Sequence, residues 1–240
     1  MTEPDTSLVP LDTTSDEARR QASVAVLPIG SFEQHGPCLP LATDTLVACA
    51  IAREIADGYP VRRLPPVTIS CSHEHAAWQG TVSISSDTLA AMVRDIARSL
   101  DSALVVVNGH GGNYVLRNVV QEANANGHRM ALFPGPLDWQ AALTAAGVVT
   151  PPDSDMHAGE IETSILLASH PEAVRDGYPD TDHLADDRRH LLTLGLSPYS
   201  ESGVVGRPSL ASAVKGRALL ASLATSFADY HAVLSPAMGE

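Results

Sequence analysis

The 240-residue chain is 44% hydrophobic and carries 15 basic against 28 acidic residues, a formal net charge of −13. That apolar content is enough for a buried core and excludes disorder over most of the chain. The negative charge argues against nucleic-acid binding and against docking on anionic membranes, although solubility alone would also account for it.

The sequence carries no targeting or membrane signal. No run approaches the roughly 20 apolar residues that a membrane span needs, and residues 1–20 are polar and acidic, without the apolar core of a signal peptide. The three cysteines have no metal-type spacing, and their odd number argues against a disulfide framework. We therefore expect a cytoplasmic protein.

From residue 23 onwards, short apolar runs typical of buried strands alternate with amphipathic helical patterns. The predicted elements, in chain order, are a helix near 15–22, a strand over 22–28, a helix over 45–56, a strand over 67–70, a helix over 87–100, a strand over 104–107, a helix over 114–126, a strand over 130–133 and helices over 160–169 and 212–233. Gly58 is expected just past the end of the second helix, and Ser86 or Asp87 is expected to cap the third. This alternation predicts an α/β fold with a mostly parallel sheet covered on both faces. We expect a tail with a short helix over 1–22, one catalytic domain over 23–240, and long loops at 150–156 and 175–209.

The first segment with chemical potential follows the first predicted strand. Glu33 and His35 are two residues apart and point the same way in extended chain, and Asp44 opens the next helix. In open α/β sheets, sites form outside the carboxyl ends of the strands. Two carboxylates and an imidazole there indicate a divalent-metal site, although a helix cap at Asp44 beside a surface Glu and His would give the same pattern.

The second segment, Asn-Gly-His-Gly-Gly-Asn over 108–113, lies between another strand and its helix. Its glycines allow another group to approach closely, and His110 at its centre favours metal binding or acid–base chemistry. A phosphate-binding loop is the alternative, because a helix N-terminus follows, but the chain has neither G-x-G-x-x-G nor a Walker lysine here.

The third segment places His157 and Glu160 three residues apart, so at helical spacing they would converge. The alternative is that Glu160 merely occupies the first helical turn, where the helix dipole favours an acid. Taken together, the three segments indicate a two-metal centre in which Asp44 is shared and His157 is left for proton transfer. The candidate ligands are Glu33, His35, Asp44, His110 and Glu160.

These segments resemble, in order, the motifs of the creatininase family of metal-dependent amidohydrolases. The matching stretches are LPIGSFEQHGPCLPLATDT, VVVNGHGGN, HAGEIETS and SGVVGRPSLASAVKG, and the likeness runs from about residue 24 to 220. The resemblance implies a single-domain α/β/α sandwich, commonly assembled as a hexamer, with Glu33, His35, Asp44 and His110 as metal ligands. The family includes creatinine amidohydrolase, a formamide hydrolase of flavin and deazaflavin biosynthesis, and the peptidase that trims the mycofactocin precursor peptide.

The chain departs from the creatininase pattern at several positions. Gly111 and Gly112 stand where creatininase has Tyr-Glu, and that Glu is a ligand there; we expect Glu160 to replace it. Ala42 stands for a usual Asp, and Cys38 for a frequent His. These departures argue against strict creatinine hydrolysis.

The expected function is metal-dependent hydrolysis of a non-peptide or cyclic C–N amide bond in a small molecule, by a metal-activated water. Two divalent ions are expected, with zinc as the first choice and manganese or iron as alternatives. His157, with Glu160, would move protons, and the N–H groups of Gly111 and Gly112 would stabilise the oxyanion or orient the substrate. His75 and Trp78 are predicted to contact the substrate. The alternatives are a peptidase that trims a precursor peptide and a catalytically degenerate binding or assembly subunit.

Overall fold

A parallel four-stranded sheet forms the centre of the computed structural model, which describes residues 8–235. The strand order is β2-β1-β3-β4. The strands are β1 (Val24–Ile29), β2 (Arg62–Arg63), β3 (Ala103–Asn108) and β4 (Met130–Phe133). The pairing of β1 with β3 ends at Ile29 opposite Asn108, so the segments that follow both strands emerge side by side at one edge of the sheet.

Helices enclose the sheet. They are α1 (Thr14–Arg20), α2 (Thr43–Gly58), α3 (Ser86–Arg98), α4 (Val115–Ala125), α5 (Pro136–Ala146), α6 (Glu160–Ser169), α7 (Leu191–Leu194) and α8 (Ala213–Leu234). Four 3₁₀ turns lie at His73–His75, Pro171–Ala173, Tyr178–Asp180 and Pro208–Leu210. No helix in this part of the chain combines the length and the apolar character that crossing a bilayer requires.

Both faces of the sheet are buried, which explains why its strands are apolar throughout rather than alternating. All six β1 residues are buried. Val24 and Val26 join a core cluster with α2, α5, α6 and α8, whereas Ala25 and Leu27 join a second cluster with α3 and α4. The predicted α/β/α sandwich with a parallel sheet is therefore confirmed.

Three predicted details of the fold are wrong. The strand expected at 67–70 does not form: Val67 makes only an isolated bridge to Ile29, and the edge strand is β2, whose two arginines have no apolar pattern. Gly58 lies inside α2 instead of beyond its end. Ser85, not Ser86 or Asp87, caps α3 by accepting a hydrogen bond from the Thr88 N–H.

Helix α5 is the element that the periodicity does not reveal. It lies between the strand predicted over 130–133 and the loop expected at 150–156, and its apolar residues are distributed around the helix, so they give no periodic pattern. Its ends are nevertheless encoded locally, because Pro136 occupies the first helical position and Gly147 ends the helix with a φ of +62°. The loop expected at 175–209 contains α7 and one of the 3₁₀ turns. The short N-terminal helix forms as α1, and residues 1–7 and 236–240 of the two predicted ranges lie outside the described residues.

Candidate metal centre

The carboxyl edge of β1 and β3 carries a compact cluster of buried carboxylates and imidazoles. Glu33 and His35 follow β1, Asp44 lies in the first turn of α2, and His110 follows β3; all four are at most 5% exposed. Gly109 permits this approach, because a Cβ at that position would collide with the carbonyl oxygen of Asp44. The structure thus brings together four of the five residues expected as ligands.

Asp44 stands between two imidazoles, one at each carboxylate oxygen. Its Oδ1 is 3.0 Å from His35 Nε2, and its Oδ2 is 3.1 Å from His110 Nδ1. Glu33 Oε1 lies 3.2 Å from the same His110 nitrogen. This is the arrangement that a carboxylate shared between two cations requires.

Hydrogen bonds at the far side of each ring fix its tautomer. His35 Nδ1–H donates to the backbone oxygen of Glu33 at 3.0 Å, and His110 Nε2–H donates to the backbone oxygen of Cys71 at 2.7 Å. The other nitrogen of each neutral ring therefore presents a lone pair to carboxylate oxygens. Such second-layer hydrogen bonds are how proteins orient metal-binding histidines.

The donor set fits a divalent metal. Lone pairs of the imidazoles face lone pairs of the carboxylates, which is repulsive unless a proton or a cation lies between them. Glu33 Oε1 and Asp44 Oδ2 are buried and make no hydrogen bond with the described residues. Candidate ligand atoms lie within 4.8 Å of one another in three triplets: Glu33, His35 and Asp44; Glu33, His75 and His157; and His35, His157 and Glu162.

The shifted pKa values also indicate that the cluster favours positive charge, bound either as protons or as a metal ion. Burial disfavours protonated His35, but the facing Asp44 outweighs it and raises the pKa of His35 to about 9. Burial likewise opposes protonation of His110, yet Asp44 and Glu33 raise its pKa well above the ordinary value. Burial raises the pKa of Glu162 to about 7. A bound cation would replace these protons, so metal binding is coupled to proton release.

His75 is buried at the cluster, not at the mouth of the pocket. Its Nδ1 accepts a hydrogen bond from Gln34 Nε2 at 2.9 Å, so the proton of the neutral ring is on Nε2, and this nitrogen lies 3.1 Å from Glu33 Oε1. Gln34 is held in turn because its Oε1 accepts from the Gly36 N–H at 2.9 Å. Gln34 is thus a positioning residue that the sequence reading missed, and contact of His75 with substrate stays a prediction.

His157 also enters the cluster. Its ring packs between His35 and His75, with centroid separations of 4.2 and 4.3 Å. Its Nε2–H donates to the backbone oxygen of Gln34 at 2.6 Å, so Nδ1 is the free acceptor, 3.8 Å from Glu33 Oε1. The next residue, Ala158, has a φ of +53°, a strained conformation of the kind found at functional sites.

Glu160 does not join the cluster, contrary to expectation. Its carboxylate accepts from Lys215 Nζ at 2.5 Å, from Thr150 N and Oγ1 at 2.8 and 2.6 Å, and from Val149 N. The helical spacing assumed between His157 and Glu160 does not hold, because α6 begins only at Glu160. Glu160 therefore ties α6 to α8 and to the segment after α5.

Glu162 occupies the place expected for Glu160. Its Oε2 lies 3.9 Å from His35 Nε2 and accepts a hydrogen bond from the Ala158 N–H at 2.6 Å. Asp155 caps the same helix by accepting from the N–H groups of Glu160 and Ile161 at 2.7 and 2.8 Å. The signal available in the sequence was a Glu at the third helical position, where its carboxylate reaches back to the N-terminal backbone.

A cavity of about 860 Å³ opens onto the cluster. It reaches from His110 and Glu162 to an apolar wall that includes Trp139 and Leu143 on α5, and Gly111 lines it. Gly112 instead lines a second cavity of about 480 Å³, beside Glu74. Trp78 lines neither of these cavities; its ring centroid lies 6.3 Å from that of His75.

The two glycines after His110 provide a matched test of this geometry. A Cβ at Gly112 would collide with Glu74 Oε1 and with His110 Nε2, whereas a Cβ at Gly111 would meet nothing within 4 Å. Overpacking of this kind costs about 1–3 kcal/mol, so we expect Gly112→Ala to weaken metal binding by about tenfold or more. Gly111→Ala should leave metal binding within about twofold of wild type. Metal titration of both variants checks this, and equal affinities would contradict it.

Comparison with known proteins gives the family. The Creatininase family model, described as creatinine amidohydrolase, matches residues 12–230. The chain belongs to the creatininase family. Its members are hydrolases that act on amide bonds, and the match includes every residue of the cluster described above.

Several curated relatives of this creatininase-family chain are named mycofactocin precursor peptide peptidase. The protein from Mycobacterium ulcerans (strain Agy99) is 36% identical, over 82% of this chain and 80% of the relative. That from Mycolicibacterium smegmatis is 35% identical, over 90% and 87%. Creatinine amidohydrolase from Pseudomonas putida is 26% identical, over 71% and 72%.

Solved creatininase structures share the fold. A crystal structure of creatinine amidohydrolase superimposes with a TM-score of 0.79 at 23% identity, covering 95% of this chain and 97% of that one. Another, described as creatininase Mn, has a TM-score of 0.76 at 23% identity, with the same coverage. A mutant creatininase of Zn-Zn type has a TM-score of 0.76 at 22% identity, covering 96% and 99%.

Proposed function

We propose that this chain hydrolyses an amide bond in a peptide, using two divalent metal ions. The observation that carries the proposal is Asp44, whose oxygens face His35 Nε2 and His110 Nδ1 at 3.0 and 3.1 Å next to a large cavity. Glu33, Asp44 and His110 would hold one ion, and His35, Asp44 and Glu162 the other. Zinc and manganese suit this mixed set of imidazoles and carboxylates.

The metal centre would supply a water of lowered pKa and polarise the carbonyl of the scissile bond. Neighbouring groups of the protein hold the side chains of this centre in position. Ser31 Oγ donates to Glu33 Oε2 at 2.7 Å and so directs the other carboxylate oxygen towards the imidazoles. Gln34 holds His157 through its backbone oxygen and His75 through its side chain.

His157 is placed to move the proton. With Nε2–H committed to the Gln34 backbone oxygen, Nδ1 is the nitrogen that can take a proton beside Glu33 and pass it to the leaving nitrogen. Glu160 has no part in this step because its carboxylate is committed to Lys215 and Thr150.

Cavity size and family relationship favour a peptide over a small cyclic amide. The cavity of about 860 Å³ lies at the upper end of the range of roughly 300–1,000 Å³ typical of sites for drug-sized ligands. The relatives at 34–36% identity are named as peptidases of a precursor peptide. A small non-peptide amide, the choice made from the sequence, remains the second candidate because a relative at 26% identity is named creatinine amidohydrolase.

The test is an activity assay on full-length protein loaded with zinc or manganese. Substrates are the mycofactocin precursor peptide, a pool of unrelated blocked peptides, and creatinine, with products identified by mass spectrometry. We expect peptide cleavage that a chelator abolishes and metal addition restores, with no turnover of creatinine. Turnover of creatinine without cleavage of any peptide would reject the proposal in favour of the second candidate.

A further inference from the structure

The large cavity contains a single cationic side chain of the Lys or Arg type among the residues that line it. This is Arg117, the third residue of α4, and its side chain is exposed to the cavity. The rest of the wall is mostly apolar, with Leu132, Trp139 and Leu143 among its members. A lone cation in an apolar wall is a strong determinant of which ligands the cavity can hold.

Arg117 has no partner within residues 8–235, in either an ion pair or a hydrogen bond of its guanidinium. The two acidic residues of the cavity wall, Asp155 and Glu162, have other partners. Asp155 accepts from two backbone N–H groups at the start of α6, and Glu162 accepts from the Ala158 N–H and faces His35. The positive charge therefore has no counterpart in the wall itself.

The position of Arg117 on α4 strengthens this point independently. A cation in the first turn of a helix is disfavoured by the helix dipole, whereas an anion there is favoured. The first turn of α4 contains no acidic residue, and its N-cap, Tyr114, makes no side-chain capping bond. An anion from outside the chain would satisfy both the guanidinium and the helix terminus.

Some of the remaining polar groups in the cavity wall are hydrogen-bonded within the protein, and others are available to a ligand. Asn108 and Asn113 hydrogen-bond to each other at 3.0 Å and hold the glycine-rich turn. The side chains of Tyr114 and Gln140, in contrast, make no hydrogen bond within the described part of the chain. Tyr114 and Arg117 are three residues apart at the start of α4, so both lie on the same side of the helix, and both line the large cavity.

We propose that Arg117, assisted by Tyr114, binds a carboxylate of the substrate and makes the enzyme select amides that carry one. The planar guanidinium binds a carboxylate through two parallel hydrogen bonds. This inference rests on the proposed function, because it takes the large cavity to be the substrate site. In a peptide, the carboxylate is either the C-terminus or an acidic side chain.

The test uses three probes: N-acetyl-alanyl-phenylalanine with a free carboxylate, its C-terminal amide, and N-acetyl-glutamyl-phenylalanine amide. Binding is measured by calorimetry on the chelator-treated full-length chain, where no metal can capture a carboxylate. Wild type is expected to bind the free acid about tenfold or more tightly than the amide. The glutamyl amide shows whether an acidic side chain can replace the C-terminus as the source of the carboxylate.

The variants distinguish an effect of the charge of Arg117 on binding from an effect of the substitution on the structure. Arg117→Met should abolish the preference for the acid while leaving affinity for the amide unchanged, and Arg117→Lys should retain part of the preference. Arg217→Met is the matched control, because it removes an exposed arginine of α8 that does not line the cavity. Circular dichroism checks folding, and should Arg117→Met unfold, Arg117→Lys and Tyr114→Phe decide the question by a weakened preference.

No preference in wild type, or an unchanged preference in Arg117→Met, overturns the inference. Its failure is distinguishable from failure of the proposed function. Metal-dependent peptide cleavage that Arg117→Met slows equally for acid and amide forms rejects the carboxylate site alone. An Arg117-dependent preference in binding, without cleavage of any peptide, supports the carboxylate site and rejects the proposed reaction.

Discussion

Replacing Asp44 with Asn is expected to remove bound metal and to slow amide hydrolysis by roughly a thousandfold or more, since the metal contributes several kcal/mol. Asp44 presents one oxygen to His35 and the other to His110, at 3.0 and 3.1 Å. Asn keeps the shape but offers only one oxygen, so one of the two imidazoles would face an N–H group and no cation could be shared. Elemental analysis of protein purified without chelators or a His-tag, combined with the peptide assay, checks this.

Glu160→Gln and Glu162→Gln are the matched controls for that result. Glu162 faces His35 at 3.9 Å, so Glu162→Gln should lower the metal content from about two ions per chain towards one. Glu160 is bound by Lys215 and Thr150, so Glu160→Gln should retain both ions. Full metal content and full turnover in Asp44→Asn would contradict the two-metal centre. Loss of metal from Glu160→Gln would instead support the role of metal ligand that the sequence predicts for Glu160.

The sequence predicts the fold well where burial is uniform. β1 and β3 are continuous apolar runs because helices cover both faces, and β4 forms over the residues expected. Prediction fails where tertiary contacts determine which residues form a strand. β2 is a strand only because its two arginines lie beside β1, and the apolar run at 67–70 contributes a single bridge. Helix α5 is marked by Pro136 and Gly147 at its ends, not by periodicity.

The candidate site is predictable to the extent that strand ends meet at one edge. Glu33, His35 and His110 come together for this reason, and Asp44 joins them because α2 begins there. The choice between Glu160 and Glu162 depends on where α6 begins. The two residues are two positions apart on a helix, so their side chains point in directions roughly 200° apart. An error in the assumed start of α6 therefore exchanges their roles. Gln34 could not be found from spacing, since its role is set by the Gly36 N–H and the His75 ring.

Lys215→Met is expected to destabilise the fold by about 3 kcal/mol, because it leaves the buried carboxylate of Glu160 without a cation. Glu160 is completely buried, and Lys215 Nζ lies 2.5 Å from its Oε1. The bonds from Val149 and Thr150 remain but supply no full positive charge. Urea unfolding at matched metal content measures the loss. The double variant Lys215→Met, Glu160→Gln should recover most of it, since a neutral amide can still accept those bonds.

The pH dependence identifies the cause of that loss. Burial raises the pKa of Glu160, but the bonds from Lys215 and Thr150 outweigh it and hold the pKa below its ordinary value. The stability this carboxylate contributes is therefore present above its unfolded pKa, about 4.3, and is lost as pH falls through the folded value. The difference between wild type and Lys215→Met should accordingly be largest near neutral pH and shrink as pH is lowered through about 4. A difference that stays constant with pH would mean that the aliphatic stem of Lys215, not its charge, stabilises the junction of α6 and α8.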